Sequence, residues 1–135
     1  MAAEARELPD RWILPLRWSR VARVDWDDRI RFRLDPPGEI AVGSGALFTD
    51  GPATAPGVDA KTLGQMGHDE VQLAVGARIL SAVGFKNGAL RVVLDNGWHL
   101  NVRSARPFVP ASVAFGESGT WSRQDVNGSS SSTVS

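Results

Sequence analysis

Histidine and acidic side chains are the residues of this chain whose chemistry depends most directly on spacing. The two histidines are His68, in the run His68-Asp69-Glu70, and His99. Neighbouring residues of a helix do not point at one ion, and a metal site needs three or four converging ligands. The sequence therefore predicts no metal site at either histidine.

Three aspartates, Asp25, Asp27 and Asp28, resemble the start of a calcium-binding loop. Arg29 stands close to the position where such a loop requires glycine, and no glutamate occupies the twelfth position. The glycine-rich residues 43–46 follow a predicted strand, but the Lys-Ser or Lys-Thr pair of a phosphate-binding loop is missing after them. We interpret both segments as turns and expect no cofactor.

Covalent catalysis has no signature in the sequence. The chain contains no cysteine and no Gly-x-Ser-x-Gly elbow around a nucleophilic serine. Paired carboxylates leave no sequence signature, so one alternative is a small-ligand-binding or hydrolytic cleft between the two halves of the chain, lined by Asp28, Asp95 and His99. The main prediction is that the protein is not an enzyme.

Length and charge restrict the class of protein further. The 135 residues, 14.5 kDa, are the size of one domain. Fifteen basic residues balance fifteen acidic ones, so nothing predicts steering toward nucleic acid or an anionic membrane. The first residues lack the basic end and apolar run of a signal peptide, and no apolar stretch is long enough to cross a membrane. We expect a cytoplasmic protein.

An internal repeat organises the chain into two copies, at about residues 20–49 and 79–109. Residues 24–35 align with residues 83–95 if the second copy has one extra loop residue, and an offset of sixty then pairs the later positions, ending with Phe48 and Phe108. Apolar residues alternate with polar ones, which is typical of half-buried antiparallel strands. They are Val24, Trp26, Ile30, Phe32, Leu34, Ile40 and Val42 in the first copy, and Val83, Phe85, Leu90, Val92, Leu94, Trp98, Leu100 and Val102 in the second.

Each copy is therefore predicted to be an antiparallel β-meander, with a fourth short strand at 46–49 and at 106–109. The second meander also carries Leu80, Ala82 and Gly84 on its other face, which should be covered. We expect a helix near 67–76 to cover it. The predicted fold is α+β and mostly β: two related meanders packed on a shared core, with one short helix between them.

The segments 12–17 (Trp-Ile-Leu-Pro-Leu-Arg), 20–24, 82–90 and 94–97 resemble a family of small actinobacterial proteins classed as a domain of unknown function. The resemblance covers about residues 12–120. It implies the same two meanders and intervening helix, and no catalytic residue is carried over from it. The chain departs from the family pattern at Trp18, where glycine is expected, and at Phe108 and Ala111, where a Tyr-x-x-Trp pair is expected.

The domain boundaries follow from these patterns. Residues 1–11 are an N-terminal extension, residues 12–126 form one β-rich domain that ends in a hairpin near 113–121, and the Ser-rich residues 127–135 are predicted to be a disordered tail.

Tryptophan and arginine suggest what the domain does. Exposed tryptophan beside arginine is the composition of protein-interface hot spots. The preferred hypothesis is a non-catalytic module that binds another protein, of the kind that neutralises a toxin, through Trp18, Arg31, Arg33 and Trp121. A structural domain that self-associates through its sheet edges is a further alternative.

Overall fold

The computed structural model describes residues 4–52, 57, 59–105, 107–126 and 129–135, and these residues are mostly in strands. The elements are β1 (Arg6–Glu7), β2 (Arg11–Ile13), β3 (Arg20–Trp26), β4 (Ile30–Asp35), β5 (Gly38–Val42), β6 (Leu47–Asp50), β7 (Lys61–Thr62), α1 (Leu63–Val71), a 3-10 turn (Gln72–Ala74), β8 (Ile79–Phe85), β9 (Leu90–Leu94), β10 (Trp98–Val102), β11 (Ala111–Phe115), β12 (Gly119–Val126) and β13 (Ser129–Val134).

Two antiparallel sheets pack face to face around one apolar interior. Sheet A has the strand order β1-β2-β8-β9-β10-β6-β7, and sheet B has the order β13-β12-β11-β5-β4-β3. The alternating apolar residues of both predicted meanders from Ile30 to Val42 and from Leu90 to Val102 belong to the core or pack against it. The predicted fold class is confirmed.

The two meanders exchange their fourth strands. After the meander β3-β4-β5, strand β6 leaves sheet B and pairs with β10 of sheet A. After the meander β8-β9-β10, strand β11 leaves sheet A and pairs with β5 of sheet B. Each sheet is therefore completed by a strand from the other half of the chain.

The exchange corrects one part of the predicted alignment. Phe48 pairs with Leu100. Ile40 is the position of the first copy that corresponds to Leu100, and the residue that pairs with Ile40 is Val113. The equivalent of Phe48 is therefore Val113 and not Phe108. The path from Leu100 to Val113 is five residues longer than the corresponding path from Ile40 to Phe48, so the offset of sixty no longer applies after β10. Residues 107–109 are not in a strand, and Arg106 lies outside the described residues.

A second correction concerns β8. Val24 pairs with Phe32 in the first meander. Val92 is the equivalent of Phe32, and it pairs with Ala82 rather than with Val83. The loop between β8 and β9 therefore has two more residues than the loop between β3 and β4, and not one more as predicted. A shift of one residue moves every side chain of a strand to the other face. Ala82 accordingly belongs to the core, whereas the Phe85 ring lies on the outer face between two arginines.

The helix begins earlier than predicted. Thr62 caps α1: its hydroxyl accepts from the Gln65 N–H, and the Gln65 side chain accepts from the Thr62 N–H. This reciprocal pair satisfies two backbone groups that a helix start leaves free, and its Thr-x-x-Gln signature is visible in the sequence. Gly67, with φ of 83°, kinks the helix where the prediction had placed its start.

The helix also packs against the other meander. His68 stacks on Trp26, with ring centroids 4.2 Å apart, and the Gln72 amide donates to the Val24 carbonyl. The expectation that the helix covers the outer face of the second meander is therefore wrong. Leu63 and Val71 of α1 join the shared core. Ala82 and Gly84, which were expected on that outer face, face the same interior.

Both chain ends join the sheets. β1 pairs with β2, so residues 6–7 of the predicted extension add an edge to sheet A. β13 pairs with all of β12 from Trp121 to Val126, so the prediction of a disordered tail is wrong for residues 129–134. Serine is tolerated there because a backbone ladder needs no apolar side chain. Residues 1–3, 127 and 128 lie outside the described part of the chain.

No helix in the described part of the chain is both long enough and apolar enough to cross a bilayer.

Close packing between Trp121 and Gly84 joins the two sheets. Trp121 is fully buried in β12, and its indole lies where a Cβ at Gly84 would stand. We expect Gly84→Ala to lower the free energy of unfolding by about 1–3 kcal/mol, because an added methyl in a filled core forces neighbours to shift.

Denaturant unfolding measures this change. Gly64→Ala in α1 is the matched control, since a Cβ there meets nothing nearer than 3.4 Å. If Gly84→Ala were as stable as Gly64→Ala, the described contact between the sheets would be incorrect.

Candidate functional site

Arg31 and Arg33 lie side by side on the outer face of sheet B, among acidic side chains. Arg31 donates to Glu39 at 2.8 Å and to Asp27 and Asp28 at 3.2 Å. Arg33 donates to Asp25 at 2.6 Å and to Glu39 at 2.8 Å. We call the group of Arg23, Asp25, Asp27, Asp28, Arg31, Arg33 and Glu39 the charge ladder.

The ladder changes the acidity of its members. The backbone N–H of Arg29, followed by contacts with Asp28 and Arg31, lowers the pKa of Asp27 to about 2. The Arg33 guanidinium lowers the pKa of Asp25, and Glu39 raises the pKa of Arg31. The carboxylates of Asp25 and Asp27 therefore stay ionised at neutral pH, and both arginines predicted to bind a partner already have acidic partners within the chain.

The three residues of the predicted cleft do not form one site. The Asp28 carboxylate contacts Arg31 in the charge ladder, and the Asp95 carboxylate accepts from the Arg78 N–H at 2.9 Å at the turn between β9 and β10. His99, in β10, borders a cavity between the sheets whose lining is apolar, and neither aspartate borders it. The cavity has a volume of about 20 Å³, which holds about one water molecule and no substrate.

Trp18 is the candidate that the structure leaves on the surface. Its side chain is 53% exposed, and its φ of 73° makes it the one described residue other than glycine with a positive φ. A non-glycine residue in this region is strained by on the order of 1 kcal/mol. The family resemblance expects glycine at this position, and that departure was the sequence signal for the strain.

Backbone pairing holds Trp18 in this conformation. Its N–H donates to the Ile79 carbonyl at 2.6 Å, and its carbonyl accepts from the Arg78 guanidinium at 3.0 Å. The Ile79 N–H in turn donates to the Ser19 carbonyl. The Arg17 guanidinium lies 5.1 Å from the centre of the indole. Trp18 is thus an exposed aromatic side chain on a rigid backbone.

More exposed apolar side chains lie on the segment that pairs with this backbone. The Gly76 N–H donates to the Val21 carbonyl, so the segment after α1 runs along the start of β3. Leu73 and Val75 in that segment are exposed. The described ranges contain five exposed large apolar residues, and Trp18, Leu73 and Val75 are three of them.

Trp121 does not belong to any surface. It is fully buried over Gly84, opposite Val113 of β11, so its predicted role as an exposed partner contact is wrong. The sequence could not indicate this, because the space that the indole fills is formed by the other sheet.

Metal ligands are not gathered anywhere in the described ranges: no three His, Asp or Glu side chains there could hold one ion.

Fold and site together define a small two-sheet β protein made of two interlocked meanders, with an exposed, strained tryptophan beside the start of β3. A family model, the family of unknown function DUF6188, matches residues 12–111. The chain belongs to this family. No curated protein and no solved structure matches the chain significantly.

The charge ladder generates a prediction about acid stability. The pKa of Asp27 is about 2 in the folded protein and near 3.8 when unperturbed, so its ionised form stabilises the fold above pH 4 and this stabilisation is lost as the pH falls toward 2. We expect Asp27→Asn, which keeps the acceptor for Arg29, to unfold with a weaker pH dependence between pH 4 and 2. Equal slopes for the two proteins would contradict the ladder geometry.

His99 generates a prediction in a different pH range. Burial, and secondarily the charge of Arg91, lower the pKa of His99 below its ordinary 6.5. The unfolded chain therefore binds the proton first, and stability is lost as the pH falls below 6.5. We expect His99→Gln to reduce this loss between pH 6.5 and 5, measured by thermal unfolding. His68→Gln is the control, and an equal effect of both changes would exclude the assignment to His99.

Proposed function

We propose that the protein is a non-catalytic module that binds another protein through a surface centred on Trp18. The single observation that carries the proposal is Trp18 itself, an exposed indole on a backbone conformation that favours glycine. Strained backbone persists where the surrounding structure holds it, and it clusters at sites of function.

The energetics of binding favour such a residue. Tryptophan buries a large area at the cost of only two side-chain torsions, and the paired backbone of Trp18 is already ordered before a partner arrives. Tryptophan is also enriched among the few residues that contribute most of the energy of protein interfaces.

Arg31 and Arg33 enter the proposal with a smaller role. Both guanidiniums are engaged by carboxylates of the charge ladder, so a partner gains little net energy from them unless it replaces those contacts. They lie on the outer face of sheet B, and Trp18 precedes β3. An immunity-like role is one case of the proposal, in which the partner is a toxin.

Self-association through sheet edges has less support than a partner at Trp18. The edge of β3 is engaged at its N-terminal end, where Val21 exchanges backbone hydrogen bonds with Gly76 and Ala77. The edge of β13 donates the Ser132 N–H to the Lys86 carbonyl. These contacts use backbone groups that would otherwise pair with a second copy.

The test compares Trp18→Gly with the wild-type chain as immobilised bait in a lysate of the source cell. Glycine removes the indole and relieves the strained φ, so we expect stability close to that of the wild type and loss of the captured partner. Loss of a hot-spot tryptophan weakens binding by about 2 kcal/mol or more, about thirtyfold.

Ile13→Ala is the matched control, because it removes another exposed large apolar side chain, in β2, and leaves Trp18 unchanged. We expect this variant to capture the same partner as the wild type. If Trp18→Gly captured every protein that the wild type captures, the proposed surface would be wrong.

A further inference from the structure

A groove of about 470 Å³ lies between α1 with its following 3-10 turn and the β10-β6-β7 edge of sheet A. Its volume is in the range of small-molecule sites. It is separate from the charge ladder, and Trp18 does not line it. The described residues that line it and carry the argument are Phe48, Asp50, Lys61, Met66, Glu70 and Trp98.

Two aromatic rings form an apolar part of the groove. Phe48 and Trp98 contact edge to face, with ring centroids 4.6 Å apart. Both residues also line the narrow cavity between the sheets, so their rings form the wall between that cavity and the groove. Met66 from α1 faces them across the groove. Such a wall accepts an aromatic or alkyl group, and indole is the side chain that attracts cations most strongly.

The charges of the groove favour a cation. Asp50, Asp59 and Glu70 contribute three carboxylates, and Lys61 contributes one ammonium, which lies 3.8 Å from Oε1 of Glu70. The other oxygen, Oε2 of Glu70, is covered by the protein itself and has no hydrogen-bond donor among the described residues, so a ligand in the groove does not reach it. The Glu70 side chain as a whole is 36% exposed, and a carboxylate on a groove wall attracts an ammonium or guanidinium group, which supplies a donor and the opposite charge.

We propose that this groove binds a small organic cation: an ammonium or guanidinium group placed between Asp50 and Glu70, attached to an apolar body that lies against Trp98, Phe48 and Met66. The carboxylates provide the attraction, and the aromatic wall selects an organic cation over a hydrated metal ion. Lys61 opposes binding because it carries the same charge as the ligand.

The test is a titration of the full chain with phenethylammonium, followed by NMR of the indole N–H signals, with the Trp98 signal assigned through Trp98→Phe. We expect a saturable shift of the Trp98 signal that weakens with added salt. 2-Phenylethanol has the same ring without the charge, and we expect it to shift the signal at least several-fold less.

Charge variants test the role of each group. Asp50→Asn and Glu70→Gln should weaken phenethylammonium binding by about threefold to fivefold each, and Lys61→Gln should strengthen it. Asp69→Asn changes an acid on α1 that does not line the groove, and we expect binding equal to that of the wild type. Thermal unfolding confirms that each variant is folded at the temperature of the titration.

Several outcomes would overturn the proposal. They are no shift of the Trp98 signal at millimolar phenethylammonium, equal binding of the neutral probe, and weaker binding after Lys61→Gln. Tighter binding of a capped lysine- or arginine-containing peptide than of phenethylammonium would also overturn it, by assigning the groove to a protein segment. The partner experiment on Trp18 is independent of all four results.

Discussion

Exchange of the fourth strands is the constraint on which the rest of the structure depends. β6 completes the sheet of the second meander and β11 completes the sheet of the first, so the backbone hydrogen bonds at β10 and β5 are made by the opposite half of the chain. The apolar faces of both meanders also belong to one shared core. By itself, neither half of the chain would have a complete sheet or a covered apolar face. The two halves must therefore fold as one unit.

On the outer face of sheet B, the charged side chains pair with one another. Its arginines and acids neutralise one another within the chain, at distances of 2.6–3.2 Å in the pairs of Arg31 and Arg33. Ion pairs at such a surface contribute little to stability. Their main effect is to leave no strong field of either sign on this face, which agrees with the balanced composition of the chain.

Two places remain where local preferences are not met. Trp18 adopts a backbone conformation that favours glycine, and the buried Oε2 of Glu70 has no donor in the described ranges. Natural proteins tend to break local rules at functional sites. The two places differ in what they offer: Trp18 presents a rigid apolar group outward, whereas the groove at Glu70 presents negative charge and aromatic rings inward.

Sequence alone determined the features that depend on neighbouring residues. Alternation at period two identified β4, β5, β9 and β10 and their inward faces, because the pleat of a strand places alternate side chains on opposite sides. The departure from glycine at Trp18 is also local information, but the positive φ there is known from the structure. The Thr-x-x-Gln cap at Thr62 is equally local, and it marks the start of the helix ahead of the predicted residue 67.

Only the tertiary structure decided the face of Ala82, the burial of Trp121 and the groove at Trp98 and Glu70. One extra loop residue reverses a strand's faces, and the sequence alignment of the two copies does not resolve a difference of one. Trp121 fills space above Gly84 in the other sheet, and the groove joins a helix to strands from both halves of the chain. These contacts join residues far apart in the chain, so no local pattern encodes them.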